Sequence, residues 1–273
     1  MFEQTGPKST LQSAVTIFGL VYHSIVRNVR KTHGNAMMSI LLNMMQTAIF
    51  VLAFFLLFSL LGRKVPAIRG DFLLYLMSGI FLFMTHTKTM SAVAGAEGPS
   101  SPMMKHAPMN TAIAILAAAL GTLYIQLLSL FAILFIYHVA FTPVVVEDPA
   151  GAMGMLLLAW FAGASIGLVL LAIKPWAPSF VSILTTVYAR ANMIASGKMF
   201  TANTLPSFML AMFDWNPLFH CIDQARGFTF INYTPRNTSI EYPLYVGLGL
   251  FVIGLMGEFY TRRQASLSWG SKR

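Results

Sequence analysis

The chain has 273 residues, of which 56% are hydrophobic and 10% charged, with 18 Lys and Arg against 9 Asp and Glu. Soluble domains hold about 25% charged residues, so the composition excludes an ordinary water-soluble domain and points to a membrane protein. The single cysteine, Cys221, excludes a disulfide scaffold or a cysteine-rich metal site. The net charge of +9 flanks apolar runs rather than forming one stripe, which fits attraction to anionic lipid headgroups better than nucleic-acid binding.

In chain order, the first ten residues are polar and precede no short apolar core with a small-residue cleavage site, so they do not read as a removable signal peptide. Residues 11–31 place Leu11, Ala14, Val15, Phe18, Tyr22, Ile25, Val26 and Val29 at three-four spacing, with Gln12, His23 and Asn28 among the opposite face. Such a helix lies in the membrane surface rather than crossing it. Residues 37–61 form the first convincing span, because 25 residues at about 1.5 Å each cover ~37 Å, enough to cross a ~30 Å core with tilt. Inside it Asn43 and Gln46, three apart, read as hydrogen-bonding glue between helices.

A short loop over 62–70 leads to a second span from 72 to 84, its end blurred by His86 and Lys88. Residues 91–110, rich in Gly, Ser and Pro, form a water-facing connection with a short helix of its own. The third span covers 111–137 and the fourth 151–173, where Gly163 and Gly167 make a small-xxx-small pattern that lets helices approach closely. The break Lys174-Pro-Trp-Ala-Pro178 opens a fifth apolar segment over 179–197, interrupted by Arg190, and the last span covers 243–257. The fold class expected is therefore an all-α membrane protein with six transmembrane helices, in one domain over 1–273. A segment with the interface helix occupies 1–36, the spans 37–257 and a tail 258–273. An even number of crossings puts both ends on one side, and that side holds eleven of the 18 basic residues, so the positive-inside rule places both termini in the cytoplasm.

Between the fifth and last spans, about 200–235, the chain is too long for a loop and too broken for two spans. A re-entrant helical pair fits, since irregular backbone is tolerated at membrane depth only where protein or a water-filled cavity covers it. Its polar centre runs from Asp214 to Arg226. Asn216-Pro217 is a turn and helix start, and Asp223 and Arg226, three apart, share a face where they could pair.

Ser196-Gly197, Leu205-Pro206, Trp215-Asn216-Pro217, His220, Asp223, Arg226 and Tyr233 together resemble the end of the permease subunits of polysaccharide ABC exporters. These are ABC-2 type membrane subunits, and the capsular polysaccharide export branch is the nearest likeness. The acidic residue seven positions after the Asn is Asp223 here, where Glu is usual. Arg30-Lys31-Thr32-His33-Gly34 resembles the basic patch and glycine that close the family's surface helix. The resemblance implies a permease that dimerises around a channel for a capsular or lipid-linked glycan in the bacterial inner membrane. It also implies a separate ABC ATPase subunit that binds ATP and Mg. This chain has no phosphate loop of its own, since Gly197-Lys198 is followed by Met199 and position 192 is Asn.

On that resemblance the connection around Pro99, Pro102, Met103, Lys105 and His106 would dock the ATPase, helped by Arg27, Arg30 and Lys31. Asn216, Pro217, Asp223 and Arg226 would form the re-entrant motif, as a gate or an anchor. Sugar rings stack on aromatic rings, which makes Phe55, Phe58, Phe81, Tyr124 and Trp160 channel candidates. Arg190, costly if unpaired in lipid, should face a partner, the cavity or the interface. No His pair stands at metal-ligand spacing and no Ser/His/Asp arrangement occurs, so a transporter subunit with no cofactor and no catalysis of its own is expected. The alternatives are an ABC-2 exporter of a drug or smaller lipid-linked molecule, a secondary transporter, or a non-transporting membrane anchor.

Overall fold

The computed structural model describes residues 10–31, 36–60, 68, 70–98 and 110–270. Among them the chain is all-helical, with nine α-helices and one 3-10 turn. In order these are α1 (Thr10–Lys31), α2 (Ala36–Leu60), α3 (Phe72–Ala94), α4 (Thr111–Ala140), α5 (Pro149–Ile173), α6 (Pro178–Ala195), the turn Ala202–Thr204, α7 (Ser207–Phe213), α8 (Pro217–Thr229) and α9 (Glu241–Gly270). Four stretches are long and apolar enough to cross a membrane: Met37–Leu60, Thr111–Ala140, Pro149–Ile173 and Glu241–Gln264. The protein is a multi-pass membrane protein. The exposed stripe Leu41, Met45, Ile49, Leu52 and Leu56 on α2 gives lipid the apolar surface that a water-soluble helix would hide.

Helix starts follow from local chemistry. Asp71, Asn110 and Asp148 cap α3, α4 and α5, their side chains accepting from Leu73 N, Ala112 N and both Ala150 N and Gly151 N. Proline occupies the first turn of α5, α6 and α8, where a missing N–H removes no intrahelical bond. The largest departure from the expected boundaries is α3, which continues past Met84 to Ala94. Two of the polar residues there bond to protein instead of ending the helix: Thr87 Oγ1 donates to the Phe83 carbonyl at 2.8 Å, and the His86 ring bonds the Ala159 carbonyl and the Tyr188 hydroxyl, each at 2.9 Å. Similarly, α9 runs on through Glu258, Arg262 and Arg263.

The centre of the packing is α5, which lies against α3, α8 and α9. Close approach to α3 depends on the two small residues seen in the sequence. A Cβ at Gly163 would sit 2.4 Å from the His86 carbonyl oxygen, and one at Gly167 2.6 Å from that of Met90. Helix backbones are in contact there, and any side chain would force them apart. The core then extends from Leu76 and Ile80 on α3, through Leu156 and Ala159 on α5, to Leu218 and Ile222 on α8. A helix of 13 residues carrying Asp223 and Arg226 is thus built into the middle of the protein.

Candidate functional site

The segment from Ser196 to Ser239 is tied together by polar side chains that are fully buried. It begins with a turn at Gly197, whose φ of +74° suits glycine and whose absent Cβ would lie 2.6 Å from the Phe219 ring. Asn216 then caps α8 by accepting from Leu218 N at 3.1 Å, while its amide donates to Asn192 Oδ1 and to the Ala195 carbonyl, both at 2.9 Å. One residue therefore starts α8 and fastens it to the end of α6.

Asp223 and Arg226 are 1% and 0% exposed, and each has partners of its own. Arg226 Nη1 donates to the carbonyls of Gly197 at 2.9 Å and Phe200 at 2.6 Å, Nη2 donates to that of Lys198 at 2.6 Å, and the guanidinium lies 4.2 Å from the Tyr75 ring centroid. Asp223 accepts from Ala202 N at 3.1 Å, the Tyr233 hydroxyl at 2.5 Å and the Thr238 hydroxyl at 2.9 Å. The shared helix face predicted by their spacing is real, but it holds two clamps rather than a mutual ion pair. Arg226 grips the incoming turn, and Asp223 bridges that turn to the outgoing loop. Burial, followed by the charge of Asp223, raises the pKa of Tyr233, which keeps its hydroxyl a donor to the carboxylate.

His220 closes the segment on the other side of α8. Ser239 N–H donates to Nδ1 at 3.1 Å, so Nε2 carries the proton and donates to the Asp214 carbonyl at 2.7 Å, with Asp214 Oδ1 3.2 Å away. Lys198 is buried as well. Its ammonium donates to the Met193 carbonyl and lies 4.0, 5.4 and 5.7 Å from the ring centroids of Phe83, Phe54 and Phe50, a cation enclosed by three aromatic faces.

A second polar group lies between α2, α3 and α4. Lys88 donates to Asn43 Oδ1 and, at 2.8 Å, to Gln46 Oε1; Gln126 Nε2 donates to Asn43 Oδ1 at 3.0 Å, and Asn43 Nδ2 to Ser129 Oγ at 2.7 Å. Asn43 and Gln46 do join helices, as expected of polar residues in an apolar span. Beside them opens a pocket of about 240 Å³.

No family model and no curated protein matches the chain. The geometry therefore carries the functional reading.

Of the residues singled out in the sequence, Asn216, Pro217, Asp223 and Arg226 come together in one buried unit. Phe55 and Phe58 both pack on Phe72, with ring centroids 6.1 and 5.7 Å apart. The other channel candidates go elsewhere. Phe81 is in the core, Tyr124 is 51% exposed, Trp160 Nε1 donates to the Ala119 carbonyl at 2.9 Å, and Arg190 is exposed near the end of α6. Arg27 is exposed on α1, the side chains of Arg30 and Lys31 are outside the described residues, and so are Pro99, Pro102, Met103, Lys105 and His106.

Sequence reading missed two lysines. Lys88 appeared only as the blurred end of a span, and Lys198 only as part of a failed phosphate-loop match. The available signal was the expense of an ionisable side chain at membrane depth, which demands a specific partner or a function.

Proposed function

We propose that this chain is the permease subunit of an ATP-driven exporter that moves a polysaccharide, capsular or lipid-linked, outward across a bacterial inner membrane. Two copies would enclose the path, and two copies of a separate ATPase would drive it. In this reading the four apolar stretches are joined by α3 and α6 as further crossings, giving six, with both termini in the cytoplasm. The segment carrying α7 and α8 is a re-entrant pair on the outer side.

The observation that carries the reading is the double clamp on α8. At about 1.5 Å per residue, helices of 7 and 13 residues reach only ~10 and ~20 Å, too short for a ~30 Å hydrocarbon core. Irregular backbone at that depth needs internal partners, and Arg226 supplies them to three carbonyls while Asp223 supplies one to Ala202 N. The Asn216, Pro217, Asp223, Arg226 spacing that resembles the exporters thus has a physical task. The departure from the family's usual Glu is matched locally, because the shorter Asp already reaches three donors.

The test is purification of the chain with the ABC ATPase proposed to drive it, followed by measurement of ATP hydrolysis with and without the glycan. Glycan-stimulated hydrolysis that is lost in Lys105→Glu, with the chain still folded, is the expected result. Hydrolysis indifferent to the glycan in every preparation overturns the reading.

A further inference from the structure

We propose that the pocket between α2, α3 and α4 binds a phosphate group, with the Lys88 ammonium as its positive centre. Its polar lining consists of Ser39, Asn43, Gln46, Lys88, Thr122 and Gln126, drawn from all three helices. The two hydrogen-bond partners of Lys88 are neutral amide oxygens, and it has no carboxylate at ion-pair distance among the described residues. An ammonium has three donors, so two amides leave one donor and the whole charge for something else.

The surrounding donors and acceptors are arranged to suit an anion. Asn43 Oδ1 already receives both Lys88 and Gln126, and Gln46 Oε1 receives Lys88, so the acceptors closest to the ammonium are in use. The amide N–H groups of Gln46, an exposed residue at the rim, have no acceptor among the described residues and lie on the side chain that Lys88 holds. A charged donor beside neutral donors is the pattern that recognises an oxyanion through charge-assisted hydrogen bonds. The volume of about 240 Å³ is several times the ~30 Å³ share of one water, which leaves room for a phosphate.

Position narrows the source. Asn43 lies about two turns inside the start of α2 and Lys88 a similar distance before the end of α3, each ~10 Å from a helix end at ~1.5 Å per residue. That is the depth at which a lysine reaches toward headgroups. Two sources can present a phosphate there: the headgroup of an anionic lipid, and phosphate from water.

The proposal does not depend on export, and its test uses the full chain with no ATPase present. The chain is placed in phosphatidylcholine nanodiscs doped with phosphatidylglycerol, re-extracted in detergent, and its retained phosphatidylglycerol is quantified. In parallel, inorganic phosphate is titrated while the melting temperature is followed. Lys88→Arg should retain the anion as the native chain does. Lys88→Gln should reduce retention by roughly tenfold, the equivalent of one charge-assisted hydrogen bond. Gln46→Glu, an exposed change that puts a carboxylate against Lys88 without removing it, should do the same and covers the case in which Lys88→Gln does not fold. Retention of phosphatidylglycerol that follows this pattern assigns a lipid headgroup; stabilisation by inorganic phosphate alone, with the same variant pattern, assigns a soluble phosphate. The proposal is overturned if the native chain responds to neither probe, or if the variants respond as the native chain does.

Discussion

The α8 segment and the α2–α4 pocket both place basic side chains within an apolar protein, yet they treat the charge in opposite ways. Around Arg226 three backbone carbonyls and an aromatic ring surround the guanidinium, and the side chain is 0% exposed. Around Lys88 two neutral amides leave the ammonium beside an open pocket. Arg226 Nε–H is left without an acceptor, but it is sealed in the protein, so the charge held through Nη1 and Nη2 locks one conformation, whereas a charge with a spare donor beside open space can still bind something. The contrast separates an architectural charge from one available for recognition.

The contrast is broken most severely at Arg226. Replacement by Ala leaves three buried carbonyls without their donor, and at about 1–3 kcal/mol for each unsatisfied group the loss should be at least about 3 kcal/mol. A large drop in melting temperature in detergent, with early proteolysis in the 196–206 turn, is the expected readout. A stability near that of the native chain would show that the clamp does not hold the segment. Asp223→Asn is milder. It preserves shape but weakens bonds from Ala202 N, Tyr233 and Thr238, and a loss of about 1–3 kcal/mol follows from replacing a charged acceptor by a neutral one.

Asn216→Ala should cost about 1 kcal/mol for the lost cap and more for the ties to Asn192 and Ala195, with amide exchange rising first at the start of α8. The smallest stability effect belongs to Lys88→Gln. A neutral amide can still bond its neighbours, so the melting temperature should move by the equivalent of about 1 kcal/mol or less, the net worth of a typical hydrogen bond, while anion retention falls. If Lys88→Gln were as destabilising as Arg226→Ala, the two regions would belong to one class and the contrast would fail.

Much of the helical layout was legible because hydrophobic periodicity and caps act locally. The expected 37–61 and 151–173 became Ala36–Leu60 and Pro149–Ile173, and the Asn216-Pro217 start appeared as a cap with proline in the first turn. The close approach announced by Gly163 and Gly167 was also readable, although the sequence did not say that the contact would be α3. What spacing did not reveal was partnership. Asp223 and Arg226 share a face, as three residues on a helix must, but their partners are carbonyls and hydroxyls at both ends of a turn that forms only in the folded chain. Lys88 was opaque for the same reason, since Asn43 and Gln46 lie on α2 and Gln126 on α4. Aromatic content carried least, because an aromatic ring can be buried in the core like Phe81 or face outward like Tyr124.

The most direct test of the account is reconstitution in liposomes of the chain with the ABC ATPase proposed to drive it, with entry of lipid-linked glycan into the lumen as the readout. The account predicts glycan movement that requires ATP, the ATPase and this chain together, and that collapses in Arg226→Ala. Movement driven by an ion gradient with the ATPase absent, or undiminished movement without this chain, would contradict it.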